Sequence, residues 1–184
     1  SSSEFVEKAS GIKHRYVIEK DHALDPNFMK PLIPARDIDE LSILAEIGVM
    51  AGKDAMVNAD VTPDDIDAVI VSTANLQRAY PAIAIEIQNE LGIDGYGYDM
   101  MVACSSTTFG ISNAMADIAA GKAETILVIN PEITTAHNNM KSRESHFIFG
   151  DVCTASVVQK NSLSNNKFKI CLLYTSPSPR DEKV

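Results

Sequence analysis

Between residues 38 and 59 the apolar and small residues Leu41, Leu44, Ala45, Ile47, Gly48, Ala51, Ala55 and Met56 recur at the spacing of one helix face, which predicts a helix over 38–59. Thr62-Pro63-Asp64-Asp65 follows as a helix-start signal: a capping hydroxyl, proline at the first position, then acids. The pattern then changes. Residues 68–73 (AVIVST) form a short β-branched run without polar alternation, which reads as a buried strand. Helical spacing returns over 82–91 and stops at Gly92. A second strand is predicted over 97–103, a helix over 106–120 stopped by Gly121, a third strand over 125–130 and a fourth over 153–158. Strands alternating with helices predict a layered α/β architecture with a mixed, largely parallel sheet. No internal repeat is visible at this length.

Composition narrows the class. The 184 residues are one domain's worth of chain, and 45% hydrophobic content is enough for a core. The net charge of -9, with no basic run, argues against nucleic acid as a partner. No apolar stretch approaches a membrane span, and Ser1-Ser2-Ser3-Glu4 carries no basic-then-apolar leader, so no membrane partner is expected. Three cysteines, Cys104, Cys153 and Cys171, are too few and odd in number for a secreted disulfide framework; a reduced, cytoplasmic chain is expected. With Ser1 in place of an initiator Met, the chain is expected to be cut at this end.

The tail reads differently from the rest. The eleven residues 171–181, CLLYTSPSPRD, resemble the in-frame translation of a transposon-based sequencing adapter. Native sequence is therefore expected over 1–170, with 171–184 as a non-native tail; a natural disordered linker is the alternative.

One residue stands out chemically. Cys104 sits between a predicted strand and a predicted helix, within Val102-Ala103-Cys104-Ser105-Ser106. A thiol there feels the positive end of the helix dipole and unpaired backbone N–H groups, and both favour the nucleophilic thiolate. Ile111, Ala114, Met115, Ile118 and Ala119 give that helix an apolar face, which would bury it and keep the thiol in a dry cleft. The plainer alternative is a buried structural cysteine. His137 and His146, taken with Cys104 and Cys153, match no zinc spacing, so no metal is expected. His137 lies in the polar stretch 134–145 and is placed to line an entrance.

Several segments together resemble one enzyme family. Asp99-Met100-Met101-Val102-Ala103-Cys104 is similar to the nucleophile strand of the β-ketoacyl-acyl carrier protein synthase III family. Ala9-Ser10-Gly11-Ile12-Lys13 resembles its early turn, Tyr80-Pro81-Ala82-Ile83-Ala84 its pocket helix, and Arg143 with Phe149-Gly150-Asp151 its Arg then Phe-Gly-Asp element. The stretch Asn75-Leu76-Gln77-Arg78-Ala79-Tyr80-Pro81 is nearest to members taking medium-chain acyl-CoA.

The resemblance implies the N-terminal half of a thiolase-like fold, incomplete, from a homodimeric condensing enzyme without cofactors. It implies Cys104 as the acyl-accepting nucleophile, with acyl-CoA and malonyl-acyl carrier protein as substrates and acyl carrier protein as partner. Phe5 and Arg143 stand where the family stacks an aromatic and a guanidinium on the CoA adenine; ordinary packing and a solvated charge are the alternatives. Tyr80 stands where the family limits the acyl pocket across the dimer interface; a core aromatic is the alternative. Asp151 is expected to act structurally, in a turn. The family's His and Asn, which stabilise the enolate, match no segment here. Ala9 stands where acetyl-type members carry Arg. An exposed apolar face is expected where the second half would pack, and a basic docking patch is expected outside this chain. A hydroxymethylglutaryl-CoA synthase or thiolase, and a non-catalytic acyl-binding or dimerisation module, are the rival readings.

Overall fold

The structure is a computed structural model and describes residues 2–142, 146–164 and 168. Arg143 and the whole of 171–184 lie outside the described residues.

Two short helices, α1 (Ser3–Ser10) and α2 (Asp21–Leu24), precede the sheet, and neither was expected from periodicity. They escape a pattern search because α1 buries no residue and α2 buries only Ala23. The long helix α3 (Ile43–Ala59) starts five residues later than the predicted 38. Its start is set by Ser42, whose hydroxyl accepts from the Ala45 N–H at 3.1 Å, so the chain before it is not helical. The expected helix start at Thr62 is a single 3₁₀ turn, Pro63–Asp65, closed by a capping box between Thr62 and Asp65.

Then come β1 (Ala68–Thr73), α4 (Ile83–Leu91), β2 (Tyr96–Met101), α5 (Ser106–Ala119), β3 (Thr125–Ile133) and β4 (Asp151–Gln159). The four strands form one sheet in the order β2-β1-β3-β4. β1 runs parallel to both β2 and β3, whereas β4 is antiparallel to β3. The expected mixed, largely parallel sheet is therefore present. Every residue of β1 is buried, as its β-branched run predicts for a strand covered on both faces.

The alternation of β1 and β3 divides the core. Val69, Val71, Leu127 and Ile129 face α3 and α4, meeting Leu44, Val49, Ile83 and Ile87. Ala68, Ile70, Ile126 and Val128 face α5, where Ala114 is the buried contact. The apolar face predicted for α5 is corrected here. Its buried residues are Ser106, Gly110 and Ala114, one every four positions, while Met115 is 39% exposed. Small residues bring the helix close to the sheet: a Cβ on Gly110 would stand 2.9 Å from Val128 Cγ1 and 3.1 Å from Ser72 Cβ. Of the bulkier side chains on the predicted face, Ile118 packs against the sheet cluster whereas Met115 is turned outward. With Met101 and Val152, each more than half exposed, Met115 adds to apolar surface that no described residue covers.

Candidate active site

Cys104 lies in a 3₁₀ turn, Ala103–Ser105, that joins β2 to α5. The predicted strand over 97–103 thus ends earlier, at Met101, because the chain must turn. Ala103 takes a left-handed backbone, φ 46°, a conformation that costs an L-residue energy and must be held by its surroundings. The restraint comes from Ser106. Its hydroxyl accepts from the Val102 N–H at 3.3 Å and donates to the Thr73 carbonyl at 3.0 Å. The Ser72 hydroxyl donates to the Ser106 carbonyl at 2.6 Å, and the Thr73 hydroxyl to the Pro131 carbonyl at 2.6 Å. Asn130 Nδ2 donates to the Ser72 carbonyl at 2.8 Å, while its buried Oδ1 has no partner among the described residues.

This polar network ties the turn after β2 to the C-terminal ends of β1 and β3. In open α/β sheets, that end is where ligands are received. Reading the sequence missed Ser72, Ser106 and Asn130. The one local signal was the polar ending of the apolar run AVIVST.

The thiol itself is exposed, which corrects the expectation of a dry cleft from α5 alone. No side chain caps α5, so the first amides of a 14-residue helix lie immediately after Cys104 without a capping oxygen. Cys153 is a different kind of thiol. It packs against the α3 side of the core, and burial first, then the Glu132 charge, pushes it up to about 12.

The remaining expected residues are spread out. Tyr80 is 82% exposed, so the core-aromatic alternative does not hold. Phe5 is also exposed, on α1, and packs into no core. Its expected counterpart Arg143 lies outside the described residues, so the pair is not brought together in view. Asp151 acts as a tie. Its carboxylate accepts from the Ile18 N–H at 2.9 Å, the Thr135 N–H at 2.9 Å and the Thr135 hydroxyl at 2.6 Å. His137 borders a cavity of about 290 Å³ with Ile133, Leu76 and Pro34. A cavity of about 450 Å³ beside α1 is bordered by Lys13, His14, Arg15 and Lys20, a basic cluster that exists within this chain. Lys13 is partly neutralised there by Glu7 at 3.1 Å. Among the described residues, no three His, Cys, Asp or Glu side chains are grouped to hold a metal, and no helix is long and apolar enough to cross a membrane.

Residues 98–175, which include the Cys104 turn, match the family of 3-oxoacyl-[acyl-carrier-protein (ACP)] synthase III. A beta-ketodecanoyl-[acyl-carrier-protein] synthase of Pseudomonas aeruginosa is 54% identical over 175 residues, 95% of this chain and 50% of that protein. The chain is similar to synthase III-type proteins over most of its own length and corresponds to part of theirs. A beta-ketoacyl-[acyl-carrier-protein] synthase III of Agrobacterium fabrum is 30% identical over 160 residues, 86% of this chain and 43% of its own. Among solved structures, the 3-oxoacyl-[acyl-carrier-protein] synthase III of Aquifex aeolicus superposes with TM-score 0.71 at 25% identity, covering 88% of this chain and 46% of that one. A priming beta-ketosynthase of a polyketide pathway gives the same TM-score at 29% identity, covering 86% and 42%. The chain spans about half the length of these relatives, and the family match reaches residue 175, five positions into the segment expected to be foreign.

Proposed function

We propose that the full-length protein is an acyltransferase of fatty-acid synthesis, a condensing enzyme that loads an acyl group from acyl-CoA onto Cys104 and joins it to malonyl-acyl carrier protein. The observation that carries this reading is the position of Cys104: exposed, on a turn held by buried hydrogen bonds, at the start of an uncapped helix. A thiolate there attacks the acyl-CoA carbonyl. The C–S bond to CoA breaks, CoA leaves as the thiol with a proton, and the acyl group stays on Sγ. Malonyl-acyl carrier protein then loses CO₂. Its carbanion attacks the acyl thioester, the bond to Sγ breaks, and the thiolate is restored as β-ketoacyl-acyl carrier protein departs. The second stage needs donors facing the enolate, the family's His and Asn, which belong to the half this chain does not span.

The relative that is 54% identical over 175 residues is named for a β-ketodecanoyl product. Condensation adds two carbons, so that product comes from an eight-carbon primer, in keeping with the medium-chain resemblance of residues 75–81. Phe5, with Arg143, is assigned to the CoA adenine, and the basic cluster Lys13, Arg15 and Lys20 suits the CoA or carrier phosphates. Homodimerisation is supported by β2, which ends the sheet with an unpaired edge among the described strands, and by the exposed Tyr80 near it in the chain. The expected place of work is the cytoplasm.

Incubating the full-length protein with octanoyl-CoA and malonyl-acyl carrier protein tests the assignment. The expected product is 3-oxodecanoyl-acyl carrier protein, with free CoA and CO₂ in equal amounts. Binding of octanoyl-CoA without CoA release would favour a non-catalytic acyl-binding module instead.

A further inference from the structure

Tyr80 is exposed, yet the loop that carries it is tied down on both sides. On its N-terminal side, Gln77 Oε1 accepts from the first amides of α3, Ile43 N–H at 2.9 Å and Leu44 N–H at 3.3 Å. Arg78, two residues before Tyr80, turns its guanidinium inward, its side chain only 13% exposed. It donates to the carbonyls of Ile38 at 3.1 Å, Glu40 at 3.1 Å and Asp37 at 3.5 Å, and pairs with Glu86 at 3.4 Å. Glu86, 7% exposed, also accepts from the N–H and hydroxyl of Ser42, the cap of α3. On the C-terminal side, Asp99 of β2 accepts from Ile83 N–H and Ala84 N–H, both at 2.8 Å. The Asp99 carboxylate lies five residues before Cys104 on the strand that delivers it.

We propose that Arg78 is a positioning residue for acyl-chain selection: clamped between Glu86 and the 37–40 turn, it fixes where the Tyr80 ring is presented. The inference rests on the reading of Tyr80 as the residue that limits the acyl pocket. A buried Arg–Glu pair is weak evidence for stability as such, since desolvation offsets its attraction, but it specifies one geometry well. Arg78 makes several directional bonds into an element that carries no site residue. Between Arg78 and the α4 amides held by Asp99, the chain has four residues, Ala79 to Ala82, in which to place Tyr80. Small movement of the guanidinium therefore moves the ring. A protein that needed only a stable loop could fill this position with an apolar side chain.

The test is a double-mutant cycle in the full-length protein, read as the ratio of kcat/KM for Cys104 acylation by octanoyl-CoA over acetyl-CoA. Arg78→Met should shift that ratio about tenfold, the scale on which pocket shape discriminates chain length, with Arg78→Lys between it and the wild type. In a Tyr80→Ala background, Arg78→Met should change the ratio less than twofold, since the ring it positions is gone. An equal shift in both backgrounds would overturn the proposal, because Arg78 would then act by loosening the protein generally. So would an unchanged ratio in Arg78→Met while Tyr80→Ala shifts it, an outcome that leaves the reading of Tyr80 standing. A ratio unmoved by Tyr80→Ala itself would remove that reading and the proposal with it. Should Arg78→Met fail to fold, Arg78→Lys, which keeps the charge and loses the planar fork, is read against the same criteria.

Discussion

At the scale of single residues, the two described cysteines show how far environment separates identical side chains. Cys104 is exposed beside the amides of α5; Cys153, in β4, packs on the α3 side of the core with its thiol pushed up to about 12, by burial first and Glu132 second. Only thiolate reacts with alkylating agents, so Cys153 stays unmodified at pH 8 in the folded protein. Peptide mapping after brief iodoacetamide treatment should find the Cys104 peptide carbamidomethylated and the Cys153 peptide intact. The same shift has a stability sign. Between the ordinary value of 9.0 and about 12, the unfolded chain ionises this thiol while the folded chain does not, so stability falls as pH rises across that window. A Cys153→Ala protein should lose less stability across the same window in denaturant titrations. Ser106 is the second residue with a sharp expectation. Replacing it by Ala strands the Val102 N–H and the Thr73 carbonyl, a cost of about 1–3 kcal/mol. It also frees the left-handed turn at Ala103, so Ser106→Ala should slow Cys104 alkylation several-fold as well as lower the denaturation midpoint.

Among elements, α5 shows what periodicity can and cannot tell. Its existence and extent were legible from apolar spacing and from Gly121, which takes φ 74° just past its end. Its packed face was legible only in part: Ala114 and Ile118 do pack on the sheet, but the closest approach is through Ser106 and Gly110, which carry no apolar signal, while Met115 is exposed. The expectation is testable at Gly110. Gly110→Val must push against Val128 and Ser72, and overpacking of this kind costs about 1–3 kcal/mol. Because Ser72 also holds Ser106, thermal melts should show the loss together with slower thiol chemistry, whereas Ala116→Val on the exposed side should change neither. The strands were read more accurately than the helix starts. Runs such as AVIVST and TILVIN state their own burial, while α3 begins at Ser42 for a reason that depends on a local hydroxyl as well as on Glu86 from another helix. The stitching of the site was illegible for a related reason. Ser72 to Ser106 spans 34 positions and Asn130 to Ser72 spans 58, so those bonds exist only once three strands are side by side.

For the molecule as a whole, the sheet order places the ends of the parallel strands β1, β2 and β3 together and leaves Cys104 exposed in the turn that follows β2. The likeness to synthase III proteins was legible from a few segments, among them the strand, turn and helix around Cys104, which fall almost entirely within the matched residues 98–175. Acyl-chain length was not, since a pocket's depth depends on packing between segments and these relatives continue well beyond the length this chain spans. The net charge of -9 bears on the proposed carrier partner: docking to this acidic chain would fall to a local basic cluster such as Lys13, Arg15 and Lys20, and is expected to weaken steeply with salt. The central claim is that Cys104 carries the acyl group. Intact-mass measurement of the full-length protein after mixing with octanoyl-CoA, in the absence of malonyl-acyl carrier protein, addresses it most directly. One octanoyl adduct per chain is expected, mapping to the Cys104 peptide and abolished in Cys104→Ser; an adduct that survives in folded Cys104→Ser, or none in the folded wild type, would contradict it.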